Sequence, residues 1–184
     1  MPCLQPRIAF RDVARATDSR TVIAALVPSR VILTHKALYL LWARGDERDE
    51  AYLLGALCSI PLDWYARRFV ETNLTYNLFN GFPVPRPSRD DPIRRRVEEI
   101  AGRLAAVDRR YQSWAKAVGV PVGSVAAAEK DDLVAELDAA VALLCGLDES
   151  DLRHVFETFH VGWRYEGRLD AALGHLRRLT KETR

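Results

Sequence analysis

Four of the chain's nine prolines fall in the segment from Pro83 to Pro92. No helix and no central strand runs through such a segment, because proline lacks an amide donor and fixes its own φ. It therefore reads as an extended connector, and the residue patterns on its two sides differ in period. Beyond it, Ile93, Val97, Ile100, Leu104, Val107, Tyr111 and Trp114 recur at alternating spacings of four and three, which predicts a helix over 93–114 with one narrow apolar seam. Ahead of it the pattern is mostly that of short strands. The expected architecture is α+β, with an N-terminal sheet and its packed helices over residues 1–87. An antiparallel helical bundle follows over residues 88–184.

The N-terminal part begins with Arg7-Ile8-Ala9-Phe10-Arg11-Asp12-Val13, where side chains alternate between two faces. Ile8, Phe10 and Asp12 share one face, and Ala9, Arg11 and Val13 share the other. Thr17-Asp18-Ser19 favours a turn, so the chain is expected to return as a strand over Thr21 to Val27, stopped by Pro28. Val31 to Thr34 and Leu38 to Trp42 read as two more strands, and Arg44 to Glu47 as a turn. A helix over Asp49 to Cys58 follows, with acidic residues in its first turn. Ser59 caps the next helix, which turns Leu62, Tyr65, Ala66 and Phe69 inward and Arg67 and Arg68 outward. Asn73 is placed to cap a short helix over Leu74 to Asn80, with Gly81 as the left-handed residue past its end.

In the tail, Leu133, Leu137, Val141 and Leu144 define a helix over Glu129 to Cys145. A third helix, capped by Asp148 or Ser150, presents Leu152, Val155, Phe156 and Phe159. A fourth presents Tyr165, Leu169, Leu173, Leu176 and Leu179, which completes a bundle that buries its own seams.

Charge is unevenly spread. Residues 1–45 hold seven Arg or Lys against two Asp or Glu, whereas residues 93–184 hold fifteen of each, so a basic face belongs to the N-terminal part. The net charge of +2 excludes a polycation. Cys3, Cys58 and Cys145 show no C-x-x-C spacing, which argues against structural zinc and disulfides and for a reducing compartment. No signal peptide precedes the first strand, and the apolar run Val31 to Ala43 is interrupted by His35 and Lys36. A cytoplasmic protein with no membrane partner is expected.

Three stretches carry a family resemblance. The order R-x-x-x-R-D-V, polar turn, R-T, apolar run, Pro over residues 7–28 resembles the C-terminal target-recognition domain of TaqI-like and type IIG restriction-modification DNA adenine methylases. The stretch Asn73-Leu74-Thr75-Tyr76-Asn77-Leu78-Phe79-Asn80-Gly81-Phe82-Pro83-Val84-Pro85 is similar to the close of those domains. Leu137 to Leu152 resembles their helical tail, with Cys145 where tyrosine is expected. The resemblance implies a module, incomplete at its N-terminus, that holds double-stranded DNA and reads its sequence. A methyltransferase or nuclease domain, in the same or a separate chain, would extrude and modify the base.

The catalytic half of such an enzyme is not in this sequence. There is no Asn-Pro-Pro tetrapeptide for a flipped base and no Gly-x-Gly loop, so S-adenosylmethionine is expected only in the other domain. Glu129-Lys130-Asp131-Asp132 has the letters of an acidic metal site but opens an amphipathic helix. The four histidines show no metal or nucleophile spacing. A helix-turn-helix around Cys145 to Asp148 would present Glu149, Asp151 and Glu157 to phosphates, which repel them. No catalytic, cofactor or metal residues are therefore assigned.

The remaining candidates are DNA contacts. Arginine presents a planar fork to guanine or phosphate, and amides and hydroxyls meet base edges or backbone. The set is Arg11, Arg15, Arg20, Thr21, Lys36, Asn73, Thr75, Asn77 and Asn80. A helical protein–protein interaction module with no DNA role is the alternative. It would scatter these residues and expose an apolar seam.

Overall fold

The computed structural model describes residues 1–15, 17–42 and 44–183; Ala16 in the first stretch, Ala43 at the end of the interrupted apolar run and Arg184 lie outside the described residues. The fold is α+β, with a three-stranded antiparallel sheet and, among the described residues, eight α-helices. Strand β1 (Arg7–Arg11) is central, between β2 (Ala24–Val27) and β3 (Ala37–Tyr39). The hairpin expected from the first stretch is present, with Ile8 opposite Leu26 and Phe10 opposite Ala24. Ile8 and Phe10 enter the core against the helices. The opposite face of β1 is covered too: Arg7 and Ala9 are buried, and the Arg7 Nη2 donates to the Val31 carbonyl at 2.7 Å.

Residues 31–34 do not form the expected strand. Both edges of β1 are already taken by β2 and β3, which leaves this segment no central ladder to join. Arg30, at φ 64°, turns the chain out of extended geometry just before it. The segment crosses to β3 through a turn in which the Ala37 amide donates to the Thr34 carbonyl at 3.0 Å.

Helix α1 (Glu47–Cys58) starts from Asp46 in a capping box closed by Asp49. Helix α2 (Ile60–Ala66) is capped by Ser59, with Pro61 in its first turn. Leu62 and Ala66 face inward as expected, but Phe69 is 53% exposed and Arg67 is buried. The reversal follows from packing: the Arg67 guanidinium lies 4.0 Å from the Phe159 ring centroid and donates to the Asp18 carbonyl. Helix α3 (Tyr76–Asn80) is capped by Thr75 instead of Asn73, whose backbone is engaged in a β-bridge. Gly81 has φ −86°, so no left-handed residue ends this helix; its amide donates back to the Leu78 carbonyl, and Pro83 follows.

The seam over 93–114 belongs to two helices and not one. Helix α4 (Pro92–Ala105) stops where Ala106 leaves helical geometry at ψ 56°. Asp108 then caps a short 3-10 turn over Arg109–Tyr111, and α5 (Gln112–Val118) follows. The apolar period persists across the break because Tyr111 and Trp114 are buried against the sheet side, whereas Ile93, Val97 and Ile100 enter the bundle core.

Helix α6 (Ala127–Leu144), α7 (Glu149–Glu157) and α8 (Glu166–Glu182) complete the chain. Asp148 forms the capping box of α7. Asp132 meets His175 and Asp138 meets Arg168, so α6 and α8 run antiparallel. The two core clusters each draw from both sides of the proline connector. Tyr52 and Ile60 join the bundle cluster, and Ala106, Trp114 and Val120 join the sheet cluster. Helix α1 lies close against α4: a Cβ added to Gly55 would stand 2.7 Å from Val97 Cγ1. Among the described residues no helix is long and apolar enough to cross a membrane.

Candidate nucleic-acid interface

Beyond Arg11 the chain leaves the sheet and acquires new neighbours. The Asp12 amide donates to the Lys36 carbonyl at 3.0 Å, and the Asp12 carbonyl accepts from the Leu74 amide at 2.7 Å. Ala14 donates to the Thr72 carbonyl at 3.0 Å, so Val13 and Asn73 form an antiparallel bridge. Backbone hydrogen bonds thus place two stretches far apart in sequence, 11–15 and 72–80, along one edge, with Lys36 beside them.

Asp12 is the centre of this edge. Lys36 Nζ lies 3.1 Å from its Oδ2, and hydrogen bonds from Lys36 and then Asn73 hold its carboxyl below the ordinary aspartate range. Arg11 Nη2 lies 2.6 Å from Asp18 Oδ2, and both side chains are partly exposed. Arg15 is exposed, as are Thr75, Asn77 and Asn80. Thr75 Oγ1 is occupied as a cap, accepting from the Leu78 amide at 3.4 Å. Helix α3 is fixed to β3 by Tyr76, whose hydroxyl donates to the Tyr39 carbonyl at 2.9 Å and accepts from the Tyr39 amide at 3.3 Å.

Arg20 and Thr21 are placed elsewhere. Arg20 turns inward to the α1–α2 junction, where Nη2 donates to the Cys58 carbonyl at 2.9 Å and the guanidinium pairs with buried Asp63. Thr21 is fully buried; its amide donates to Asp63 Oδ1 at 3.0 Å, and its hydroxyl donates to the Arg15 carbonyl at 3.2 Å. A buried hydroxyl reaches no base, so these two residues anchor the turn and the exposed set is smaller than the sequence suggested. Asp63 is the residue that sequence reasoning missed. Its only sequence signal is an acid in the first turn of a helix, which is ordinarily solvated.

What remains at the edge is a group of donors with modest net charge. Arg11, Arg15 and Lys36 carry three positive charges against Asp12 and Asp18, and Asn73, Asn77 and Asn80 add amides able to donate and accept. The ion pairs on this edge are partly open to water, where such pairs contribute little, so phosphates can compete for the same cations. Comparison of the chain with protein-family models, with characterised proteins and with solved structures gives no match.

Proposed function

We propose that this chain is the sequence-recognition module of a restriction-modification or phage-defence DNA methyltransferase, acting on double-stranded DNA while a separate domain performs the chemistry. The observation that carries this reading is the backbone bridge between residues 12–14 and 72–74. It aligns two of the three stretches whose sequences resemble such modules on one exposed edge. In this reading Arg11, Arg15 and Lys36 meet phosphates or guanine, and Asn73, Asn77 and Asn80 meet base edges or backbone. Methyl transfer and binding of S-adenosylmethionine belong to the partner domain, as does any nuclease activity. The alternative, a helical interaction module, needs an apolar seam left open, whereas Ile93, Val97, Ile100, Tyr111 and Trp114 of that seam are buried and Val107 is its exposed member.

Titration of the folded chain with duplex oligonucleotides of differing sequence, at several salt concentrations, tests this. Wild-type protein is expected to bind with a salt-dependent affinity and a sequence preference. The combined variant Arg11→Ala, Arg15→Ala, Lys36→Ala is expected to keep the fold and lose most of the affinity. A folded triple variant that binds DNA like the wild type removes this edge from the reading.

A further inference from the structure

Five acidic side chains are buried among the described residues: Glu50, Asp63, Glu98, Glu136 and Asp138. Four of them meet arginine. Asp63 pairs with Arg20, Glu98 with Arg48 and Arg94, Glu136 with Arg96 and Arg178, and Asp138 with Arg168. Glu50, only 4% exposed, has no cationic partner. Its Oε1 accepts from the Ile8 amide at 3.2 Å and the Trp42 indole at 3.1 Å, and its Oε2 accepts from the Trp114 indole at 2.7 Å. A buried carboxylate without a counter-charge is costly, and the same molecule supplies one in every other case.

Glu50 is also placed where a ligand can reach it. It lines a cleft of about 480 Å³ together with Trp42, Trp114, Asp46, Glu47, Ser29 and Ser113; among the described residues no basic residue lines that cleft, and the neighbouring Arg89 is held by Asp46 at 2.6 Å. A carboxylate has about four lone-pair sites, and three are used, which leaves Oε2 able to accept one more donor. Indole rings attract organic cations, and serine hydroxyls accept hydrogen bonds from an ammonium. A calcium ion would instead require about six to eight oxygen ligands.

We propose that this cleft binds a primary ammonium group, with Glu50 as its buried counter-ion, the exposed Trp42 as its aromatic wall, the buried Trp114 fixing the carboxylate through its indole N–H, and Glu47 as the acid at its mouth. The ligand supplies the positive charge that arginine supplies to the other four buried acids. Burial raises the Glu50 carboxyl above the ordinary glutamate range despite its indole and amide donors, and a bound ammonium would oppose that rise. The site is separate from the DNA edge and does not depend on the DNA reading.

The test is a titration of the full chain with n-butylammonium chloride at constant ionic strength, followed by the indole N–H resonances. The chain has four tryptophans. The resonances of Trp42 and Trp114 should shift saturably, while those of Trp64 and Trp163, which lie at the bundle, stay still. Glu47→Gln, an exposed change that leaves the fold intact, should weaken the response severalfold, and Glu50→Gln should abolish it. If Glu50→Gln fails to fold, the wild-type and Glu47→Gln titrations still decide. No saturable shift in the wild type overturns the proposal, as does an equal response to n-butanol, which would mark an apolar pocket. A stronger response to magnesium or calcium chloride would overturn it in favour of a metal site.

Discussion

Arginine is put to two different uses in the two halves of this molecule. In the helical tail the guanidinium groups are held by carboxylates across helices: Arg96 forks onto Glu136 at 2.9 and 2.6 Å, and Arg168 reaches the fully buried Asp138 at 2.7 Å. At the sheet edge Arg15 is exposed, and Arg11 and Lys36 hold partners that are themselves partly open to water. Equal numbers of acids and bases in the tail permit that internal neutralisation, whereas the first 45 residues contain too few acids for it. Charge that neutralises buried carboxylates contributes to stability, and charge left at a surface is available to a partner.

The sharpest way to break this comparison is Arg168→Ala, which strands Asp138 in the core. Removing one member of a buried pair costs roughly 3–5 kcal/mol, and urea unfolding should show a loss of that order. A loss under about 1 kcal/mol would mean that the pair behaves like a surface one. Next in size is Ile100→Ala, which empties a fully buried position in the bundle and should cost about 2–5 kcal/mol by the same measurement.

A smaller effect separates Arg20 from the cations of the edge. Arg20→Ala should lower thermal stability without selectively relaxing preference at one base pair, because its side chain is bound to Asp63 and the Cys58 carbonyl. Arg11→Ala, Arg15→Ala and Lys36→Ala should each change stability by no more than about 0.5 kcal/mol. Where the lost side chain met a phosphate, the log–log salt dependence of duplex binding should flatten by about 0.9. The opposite pattern, with Arg20 controlling specificity in a fold of unchanged stability, would reverse the assignment.

The smallest effect is a pH dependence carried by Glu50. Its folded pKa is raised by burial, so the fold favours the protonated form. That favourable contribution is fully present below the ordinary glutamate value and is lost as pH rises through the raised folded value. Between those two values, unfolding experiments should show the wild type gaining stability on acidification relative to Glu50→Gln. A flat difference across this window would place Glu50 in a better-solvated setting.

Several features of the fold were legible because their causes are local. Ser59 and Asp148 each accept hydrogen bonds from the first amides of their own helices, so the start of α2 could be read directly and that of α7 could be narrowed to Asp148 or Ser150, of which the structure uses Asp148. The proline connector followed from φ restriction, and the hairpin with Ile8 and Phe10 on its core face followed from turn chemistry and period-two alternation. The break at Ala106 was not legible, since apolar spacing continues through it while its two halves pack on different clusters. Nor was the failure of residues 31–34 to pair, which depends on both edges of β1 being occupied.

The candidate site divides along the same line. By itself the sequence determined which residues carry charge and amides, the concentration of basic residues in the first 45, and the absence of the Asn-Pro-Pro and Gly-x-Gly segments. Only the tertiary structure decided that Arg20 and Thr21 turn inward to Asp63, that Asn73 lies beside Asp12, and that Glu50 alone among the buried acids of the described residues lacks a counter-charge. Chemical type and local backbone preference are properties of a residue and its near neighbours. Burial, and the partner a buried charge meets, depend on groups brought together from distant parts of the chain.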